Sequence, residues 1–215
     1  MKIIWADAVN GSDVADGTRL TPYRTIDRAM LDFVSGDQIR LMEGTYSPSG
    51  SVVFDSVEGS LFSEVPLGAV VQPEYTTDSS ANIVVRNSPR FYIQGIKVQQ
   101  ANDLNNIGIS VEDTYKCLIY TCEISDFAIA GNEGYGISVS GDTGVSVLGR
   151  IEKCYIYNMR CSGSKLSGIR TDGVVYDIID NQIENLSGGS NCSTYGIEYT
   201  FNYSAFAIID MVLAP

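Results

Sequence analysis

Histidine is absent from the 215 residues of this chain, and its absence excludes several kinds of chemistry. Without an imidazole there is no Ser–His or Cys–His nucleophile pair, no histidine metal ligand and no general base that titrates near neutral pH. Any catalysis would therefore depend on carboxylate, Lys, Arg or Tyr side chains.

Positive charge and long apolar runs are also scarce. The chain has 14 Lys and Arg against 26 Asp and Glu, a net charge of -12, and such a field repels nucleic-acid phosphates and anionic lipids. No run approaches the about 18 apolar residues that cross a bilayer, and no apolar signal-peptide core follows Met1. We expect no nucleic-acid partner, no membrane insertion and synthesis in the cytosol without a signal peptide.

The cysteines do not form a disulfide or zinc pattern, because their number is odd and their spacing is irregular. We expect reduced thiols, with Cys122 and Cys154 stacked in the core as small apolar side chains. The five are Cys117, Cys122, Cys154, Cys161 and Cys192.

What the sequence does contain is a repeat. The dipeptide Gly-Ile recurs at intervals of 28, 32 and 28 residues, starting at Gly108, Gly136, Gly168 and Gly196. A repeat of this length indicates a solenoid, in which each repeat is one coil that stacks on its neighbours. The longer interval is explained by a polar loop at 161–165 that protrudes from one corner.

Two further apolar runs accompany each Gly-Ile, and all of them are short with alternating apolar positions, which favours strands. Three strands in each coil predict an all-β, right-handed parallel β-helix. Residues at one position of successive coils should stack in buried columns. The first column is Ile93, Ile119, Ile151, Ile178 and Ile208, and the second is Ile83, Ile109, Ile137, Ile169 and Ile197.

The corners between strands follow the same repeat. One corner position reads Gln100, Asp126, Asn158 and Asn185, and Asn and Asp tolerate the left-handed backbone that a sharp corner needs.

The first 50 residues differ from the repeat. Thr25 is placed to cap an amphipathic helix with Ile26, Ala29, Met30 and Phe33 on one face, which Gly36 would end. Such a helix would cover the first coil and prevent end-to-end association. We therefore predict a capping segment and first coil at 1–50, and β-helix coils of one continuous domain at 51–215.

The segments 10–18 (NGSDVADGT), 21–26 (TPYRTI) and 36–46 (GDQIRLMEGTY) resemble the opening of the pectate-lyase-like β-helix superfamily. The resemblance implies the right-handed fold and the capping helix. The superfamily includes lyases, polygalacturonases, phage tailspikes and structural members, so function depends on a site. Polygalacturonase-like members pair clustered aspartates with a histidine, which this sequence lacks. Lyase members set a Lys or Arg base beside calcium-binding carboxylates.

We assign no catalytic residue as the preferred interpretation, but one cluster is a candidate. Arg170 and Asp172 should lie one coil away from Glu198, because Ile169 and Ile197 share a column. Arg170 could remove the proton next to a uronic acid, or it could form an ordinary ion pair between coils, which is the more common arrangement.

A carbohydrate-binding face is the second candidate. Tyr155, Tyr157, Glu123 and Gln182 should point outward from the middle strand, and aromatic faces with polar edges suit pyranose rings. The alternative is that the tyrosines are simply good strand formers.

A cation site is the third candidate, at Asp7, Asn10, Asp13 and Asp16. Their spacing is not that of a calcium loop, and side chains that stabilise local turns are the preferred interpretation. We expect no cofactor, with Ca²⁺ as the alternative.

The last coil has no covering segment after it, so its edge needs a partner. We expect Ile208, Met211 and Leu213 to lie at a contact with another subunit or virion protein, and Pro215 at a corner.

These features, with the resemblance to tailspike-type members, favour a non-enzymatic structural or carbohydrate-binding protein of a bacteriophage virion, assembled in the host cytoplasm. The expected partners are other virion proteins, other copies of this chain and a surface polysaccharide. The alternative is a polysaccharide lyase that acts on uronic-acid-containing glycans.

Overall fold

A computed structural model describes residues 1–74, 81–100, 106–130, 133–141, 148–200 and 209–210. Within these ranges the chain forms one helix, α1 (Ile26–Asp32), and a series of short strands. In chain order they are β1 (Ile3–Ala6), β2 (Asp37–Leu41), β3 (Gly44–Tyr46), β4 (Val52–Asp55), β5 (Gly59–Ser63), β6 (Ala69–Val71), β7 (Ala81–Arg86), β8 (Phe91–Gln94), β9 (Ile96–Gln99), β10 (Ile107–Glu112), β11 (Cys117–Tyr120), β12 (Glu123–Ser125), β13 (Ala128–Ile129), β14 (Glu133–Ser140), β15 (Gly149–Glu152), β16 (Tyr155–Cys161), β17 (Lys165–Asp172), β18 (Tyr176–Ile179), β19 (Gln182–Gly188), β20 (Ser193–Thr200) and β21 (Ile209–Asp210).

The strands form three parallel sheets that the chain visits in turn, so the predicted right-handed parallel β-helix is confirmed. Each strand pairs with the equivalent strand of the next coil. Sheet 1 has the order β1-β2-β5-β8-β11-β15-β18-β21, sheet 2 has the order β3-β6-β9-β12-β16 with β13 and β19 both on β16, and sheet 3 has the order β4-β7-β10-β14-β17-β20.

The predicted columns are confirmed over most of their length. In sheet 3, Ile109 pairs with Ile83 and Ile137, and the column continues through Ile169 to Ile197. The column in sheet 1 is correct through Ile178.

The C-terminal end of the sheet 1 column is wrong by one residue. Ile178 pairs with Ile209, whereas Ile208 was the predicted partner and lies outside the described residues. Two adjacent isoleucines satisfy the apolar pattern equally well, so only hydrogen bonding to β18 decides which of them is in register.

The glycines of three of the Gly-Ile pairs, Gly108, Gly136 and Gly168, are required by close packing between coils. A Cβ atom on Gly136 would lie 2.6 Å from the carbonyl oxygen of Gly168 and 2.7 Å from Cγ2 of Ile156. Gly108 has the same surroundings, with Gly136 O at 2.6 Å and Ile124 Cγ2 at 2.7 Å. The strands of sheet 3 therefore approach both their neighbours and sheet 2 more closely than any side chain would allow.

The corners have left-handed backbone, as predicted for Asp126 (φ 63), Asn158 (φ 54) and Asn185 (φ 52). Two further corners repeat in the same way. The sequence did not predict them, because different residue types occupy the equivalent positions. Their non-glycine members include Ser56, Asn87 and Asp113 at one corner and Thr121, Lys153 and Asp180 at the other. Because the amide of Asn87 donates to Glu112 O and that of Thr121 to Glu152 O, hydrogen bonding between coils continues through the bends.

The predicted helix is present but shorter than expected. Thr25 caps it by accepting a hydrogen bond from the Arg28 amide at 3.1 Å, and it ends at Asp32 because Phe33 leaves the helical region. Gly36, the predicted terminator, adopts φ 94 in the turn that follows.

The helix covers the first coil through its apolar face. Ile26 and Ala29 are fully buried in the core. Phe33, which follows the last helical residue, packs edge-on against Phe54 of β4, with 5.3 Å between ring centroids, so the chain just after the helix contacts sheet 3.

A loop, rather than the helix, covers the outer edge of β1. The amide of Trp5 donates to Gly17 O, the amide of Asp7 donates to Tyr23 O, and the amide of Tyr23 donates back to Trp5 O. This loop continues the hydrogen-bonding ladder beyond β1 and ends in an isolated parallel bridge between Ala6 and Tyr23. The N-terminal cover is therefore made of two parts, of which the sequence predicted one.

The proposed boundary at residue 50 is not marked by a change of architecture. Strands β2 and β3, which precede it, pair in parallel with β5 and β6, which follow it. The division into a capping segment and a set of coils stays a prediction.

All five cysteines lie among the described residues and none forms a disulfide. Cys122 and Cys154 are buried side by side in neighbouring coils, and their thiols are in contact. Burial raises the pKa of Cys154 well above its usual range, so this thiol stays protonated in the core.

We predict that Gly136→Ala destabilises the protein by about 1–3 kcal/mol, because a backbone carbonyl and a branched side chain must both move. The measurement is urea unfolding followed by circular dichroism. Gly196→Ala is the matched control, since no described atom lies within 4 Å of the added methyl group, and it should change the free energy of unfolding little. Equal effects of the two substitutions would contradict the close-packing explanation.

Candidate functional site

The outer face of sheet 2 carries two neighbouring rows of polar and aromatic side chains. They arise because side chains alternate along each strand and the strands are parallel and in register. The first row is Lys97, Glu123, Tyr155 and Gln182, and the second is Gln99, Ser125, Tyr157 and Glu184.

Tyr155 and Tyr157 are the aromatic centre of these rows. They are two residues apart on β16, so both point outward, and their rings stack with centroids 4.4 Å apart and planes inclined by 26°. Both side chains are half-buried rather than fully exposed. The pair therefore forms one fixed aromatic surface instead of two independent rings.

Glu123 holds the Tyr157 side of this surface. Its Oε1 accepts a hydrogen bond from the Tyr157 hydroxyl at 2.6 Å and forms an ion pair with Lys97 Nζ at 2.6 Å. The Lys97 and Glu123 side chains are only 24% and 12% exposed, so water screens their attraction weakly. The hydrogen bond from Lys97 to Glu123 raises the pKa of Lys97. Burial, followed by the bond to Glu123, raises the pKa of Tyr157.

Glu184 holds the Tyr155 side in the same way. It accepts hydrogen bonds from the Tyr155 hydroxyl and from Gln182 Nε2 at 3.1 Å. The bond to Glu184 raises the pKa of Tyr155 to about 12, so this phenol is neutral at physiological pH. The structure therefore brings together the four predicted residues and adds Lys97 and Glu184, which the repeat had already placed in the same rows.

A polar corner borders the aromatic pair. The Asp126 carboxylate accepts hydrogen bonds from Gln99 Nε2 at 2.8 Å, from Ser125 Oγ at 2.9 Å and from Asn158 Nδ2 at 3.3 Å. Burial opposes ionisation of Asp126, but these hydrogen bonds lower its pKa. Aromatic faces next to fixed acceptors and amides are the components with which proteins hold the C–H faces and hydroxyls of sugar rings.

The cluster around Arg170 is arranged differently from the candidate catalytic group. Arg170 and Glu198 are register partners in sheet 3, yet Arg170 forms its ion pair with Asp172 at 2.7 Å. Its guanidinium lies over the Tyr135 ring, 5.0 Å from the centroid. Glu198 instead binds Lys165 Nζ at 2.8 Å.

Among the described residues of this cluster, each basic side chain is paired with a carboxylate. The hydrogen bond to Glu198 raises the pKa of Lys165, which keeps it protonated. Glu198 also accepts from Ser167 Oγ at 2.7 Å. Burial opposes its ionisation, but the bonds from Lys165 and Ser167 lower its pKa. Lys165 and Arg170 are thus each paired with a carboxylate of the cluster.

The candidate cation residues form hydrogen bonds within the N-terminal segment, where Asn10 Nδ2 donates to Asp7 Oδ2 at 3.2 Å. Asp7 accepts from the Val9 and Asn10 amides, both at 2.9 Å. Burial opposes ionisation of Asp7, but these bonds lower its pKa. Asp13 accepts from the Thr25 amide at 2.9 Å and so anchors the start of α1, while Asp16 accepts from the Thr21 hydroxyl. In the part of the chain that the structure describes, no three Cys, Asp or Glu side chains converge as a metal site.

Two other predictions concern surfaces. The expected contact residues Ile208, Met211 and Leu213 lie outside the described residues, as does Pro215. Among the described residues, no helix is long and apolar enough to cross a membrane.

Comparison with known proteins agrees with the fold. Residues 9–58 match a family model described as a protein of unknown function (DUF1565). Among solved structures, the chain is similar to pectin methylesterase PemA from Erwinia chrysanthemi, with 9% sequence identity and a TM-score of 0.50 over 87% of this chain and 67% of that chain. No curated protein matches the sequence. The structural similarity supports the parallel β-helix fold. At this identity the likeness shows the fold alone.

We predict that Glu123→Gln lowers the free energy of unfolding by about 1–3 kcal/mol, because Lys97 loses the counter-charge of a largely buried pair. Chemical denaturation at neutral pH is the measurement. Glu58→Gln is the control, because it removes an exposed ion pair: the Arg90 side chain is 55% exposed and the Glu58 side chain 39%. It should have no measurable effect on stability. Recovery of stability in Lys97→Met/Glu123→Gln would confirm that the uncompensated ammonium is the cause. An equal loss in the double variant would contradict it.

Proposed function

We propose that this protein is a non-enzymatic carbohydrate-binding component of a bacteriophage virion, and that it binds polysaccharide on the outer face of sheet 2. The observation that carries the proposal is the stacked pair of Tyr155 and Tyr157, each with its hydroxyl held by a carboxylate from another strand.

The fixed geometry of the pair favours binding. A free tyrosine side chain loses rotamer freedom when it contacts a ligand, and that loss opposes association. Here Glu123 and Glu184 already restrain the two rings, so the rings lose their rotamer freedom when the protein folds and not when the ligand binds. The aromatic surface also lies on strands rather than on a loop, which makes its position precise.

The charge around the tyrosine pair supports a particular class of glycan. Glu123, Glu184 and Asp126 provide three carboxylates, and Lys97 is the single ammonium in ion-pair contact with them among the described contacts. Such a surface repels polyuronates and tolerates neutral sugars or amino sugars. We therefore expect a neutral or amino-sugar polysaccharide as the ligand.

The ion pairs of the basic side chains disfavour the alternative, a lyase that acts on uronic-acid glycans. A lyase base must accept a proton from the substrate, and Lys165 is held in its protonated form by Glu198. Arg170 is likewise engaged, with Asp172. No contact of the described residues favours the lyase over the binding protein.

The virion assignment depends on the resemblance to tailspike-type members. Its test is the position of the coding sequence in the genome. Flanking capsid and tail genes would support a virion protein, whereas flanking genes for sugar metabolism would contradict it.

We predict that Tyr155→Ala/Tyr157→Ala weakens polysaccharide binding by about tenfold or more, because the aromatic contact is removed. Binding is first sought on an array of neutral, amino-sugar and uronate polysaccharides, and is then measured by isothermal titration calorimetry. Tyr115→Ala and Tyr195→Ala are matched controls, since these tyrosines are 48% and 43% exposed elsewhere on the surface. Absence of binding to every polysaccharide, or equal loss in the controls, would contradict the proposal.

We predict that the purified protein releases no unsaturated uronate product from uronate polysaccharides, as followed by ultraviolet absorbance. Arg170→Ala should leave this result unchanged. Turnover that Arg170→Ala abolishes would instead identify the protein as a lyase.

A further inference from the structure

Two cysteines meet at the C-terminal end of sheet 2, outside the proposed binding face. Cys161 is the last residue of β16, and its register partner on β19 is Gly188. Cys192 follows in the turn between β19 and β20, which is closed by a 2.9 Å hydrogen bond from the Cys192 amide to Gly189 O.

The side chain of Cys192 occupies the space that the side chain of Gly188 would fill. A Cβ atom on Gly188 would lie 2.6 Å from Cys192 Cβ and 2.7 Å from Cys192 Sγ. Register partners in parallel strands stack about 4.8 Å apart, so Cys192 lies directly above Cys161. The Cys161 thiol donates to Lys165 O at 3.4 Å and the Cys192 thiol donates to Ser193 O at 3.7 Å, and the Cys161 thiol is close enough to Cys192 to raise its pKa.

This arrangement suits a disulfide. The bond requires Cβ atoms about 3.5–4.5 Å apart, and the Cys192 side chain lies at the position one strand spacing from Cys161. The residue at 188 is glycine, so no side chain stands between the two sulfur atoms.

Access to the two thiols differs. Cys161 is 4% exposed, whereas Cys192 is half-buried and reaches solvent. A soluble oxidant would therefore meet Cys192 first and Cys161 second. Burial, followed by the neighbouring Cys161 thiol, raises the pKa of Cys192, so the reaction should quicken as the pH rises.

The core pair provides an internal comparison. Cys122 and Cys154 also have thiols in contact, but they are 1% and 2% exposed. A soluble oxidant has no route to them while the protein is folded.

We propose that Cys161 and Cys192 are a modification site at which a low-molecular-weight disulfide, such as oxidised glutathione, introduces a crosslink between neighbouring coils. The Cys192 thiolate attacks one sulfur of oxidised glutathione and releases one glutathione thiolate. The Cys161 thiolate then attacks the Cys192 sulfur of the mixed disulfide and releases the second. The two protons lost by the protein thiols pass to the two glutathione thiolates.

The crosslink would close a loop that contains β17, β18 and β19. These strands belong to the last coils that the structure describes in full, and the amide of Ser193 already donates to Ser164 O at 2.9 Å beside the two cysteines. Closing the loop reduces the freedom of the unfolded chain. The crosslink should therefore stabilise the C-terminal coils against unfolding and proteolysis.

The test compares reduced full-length protein with the same protein treated with oxidised glutathione. Peptide mapping by mass spectrometry without reductant should find a Cys161–Cys192 linked peptide, with Cys117, Cys122 and Cys154 still reduced. The Tm should rise by about 5 °C or more and return on addition of dithiothreitol. Cys192→Ser should show neither change, whereas Cys154→Ala, the matched control, should retain both relative to its own reduced form.

The peptide map of the oxidised protein without substitutions tests the proposal even if a variant folds poorly. A Cys192–glutathione mixed disulfide that does not resolve, a disulfide between two chains, or a linked peptide that contains Cys122 or Cys154 would each overturn the proposal.

Discussion

The close stacking of each coil on the next is the constraint on which the rest of this structure depends. It is evident along the glycine column of sheet 3, where a methyl group on Gly136 would lie 2.6 Å from the carbonyl oxygen of Gly168. With that spacing, hydrogen bonds between coils continue from strands into corners, and buried isoleucines of successive coils belong to one continuous core. A parallel solenoid buries its core only between neighbouring coils, so any loosening of the stack exposes the core side chains of both coils.

The same stacking determines the outer surface. Because equivalent residues lie about one strand spacing apart, outward carboxylates can meet donors from an adjacent coil. On sheet 2 this restrains Tyr155 and Tyr157 into one aromatic surface. On sheet 3 the same stacking pairs the Lys165 ammonium with the Glu198 carboxylate. One face thus carries a fixed aromatic pair, while on the other the Lys165 ammonium is held in an ion pair.

The similarity to a pectin methylesterase concerns the fold. The two chains share the architecture at 9% identity, and any parallel β-helix requires buried columns and bends. The outward residues are free to differ, since they do not contribute to the core. Function in this architecture is therefore decided by the side chains that the coils present to solvent.

The sequence by itself determined the repeat, the strand columns, the Asp and Asn corner and the start of the capping helix at Thr25, because each depends on local periodicity or on backbone preference. Only the tertiary structure decided which partner each outward side chain takes. Arg170 had Glu198 within register but binds Asp172, and Ile209 rather than Ile208 pairs with Ile178. Several partners lie within a few ångströms in such cases, and the choice follows from side-chain geometry between coils, which a linear pattern does not contain.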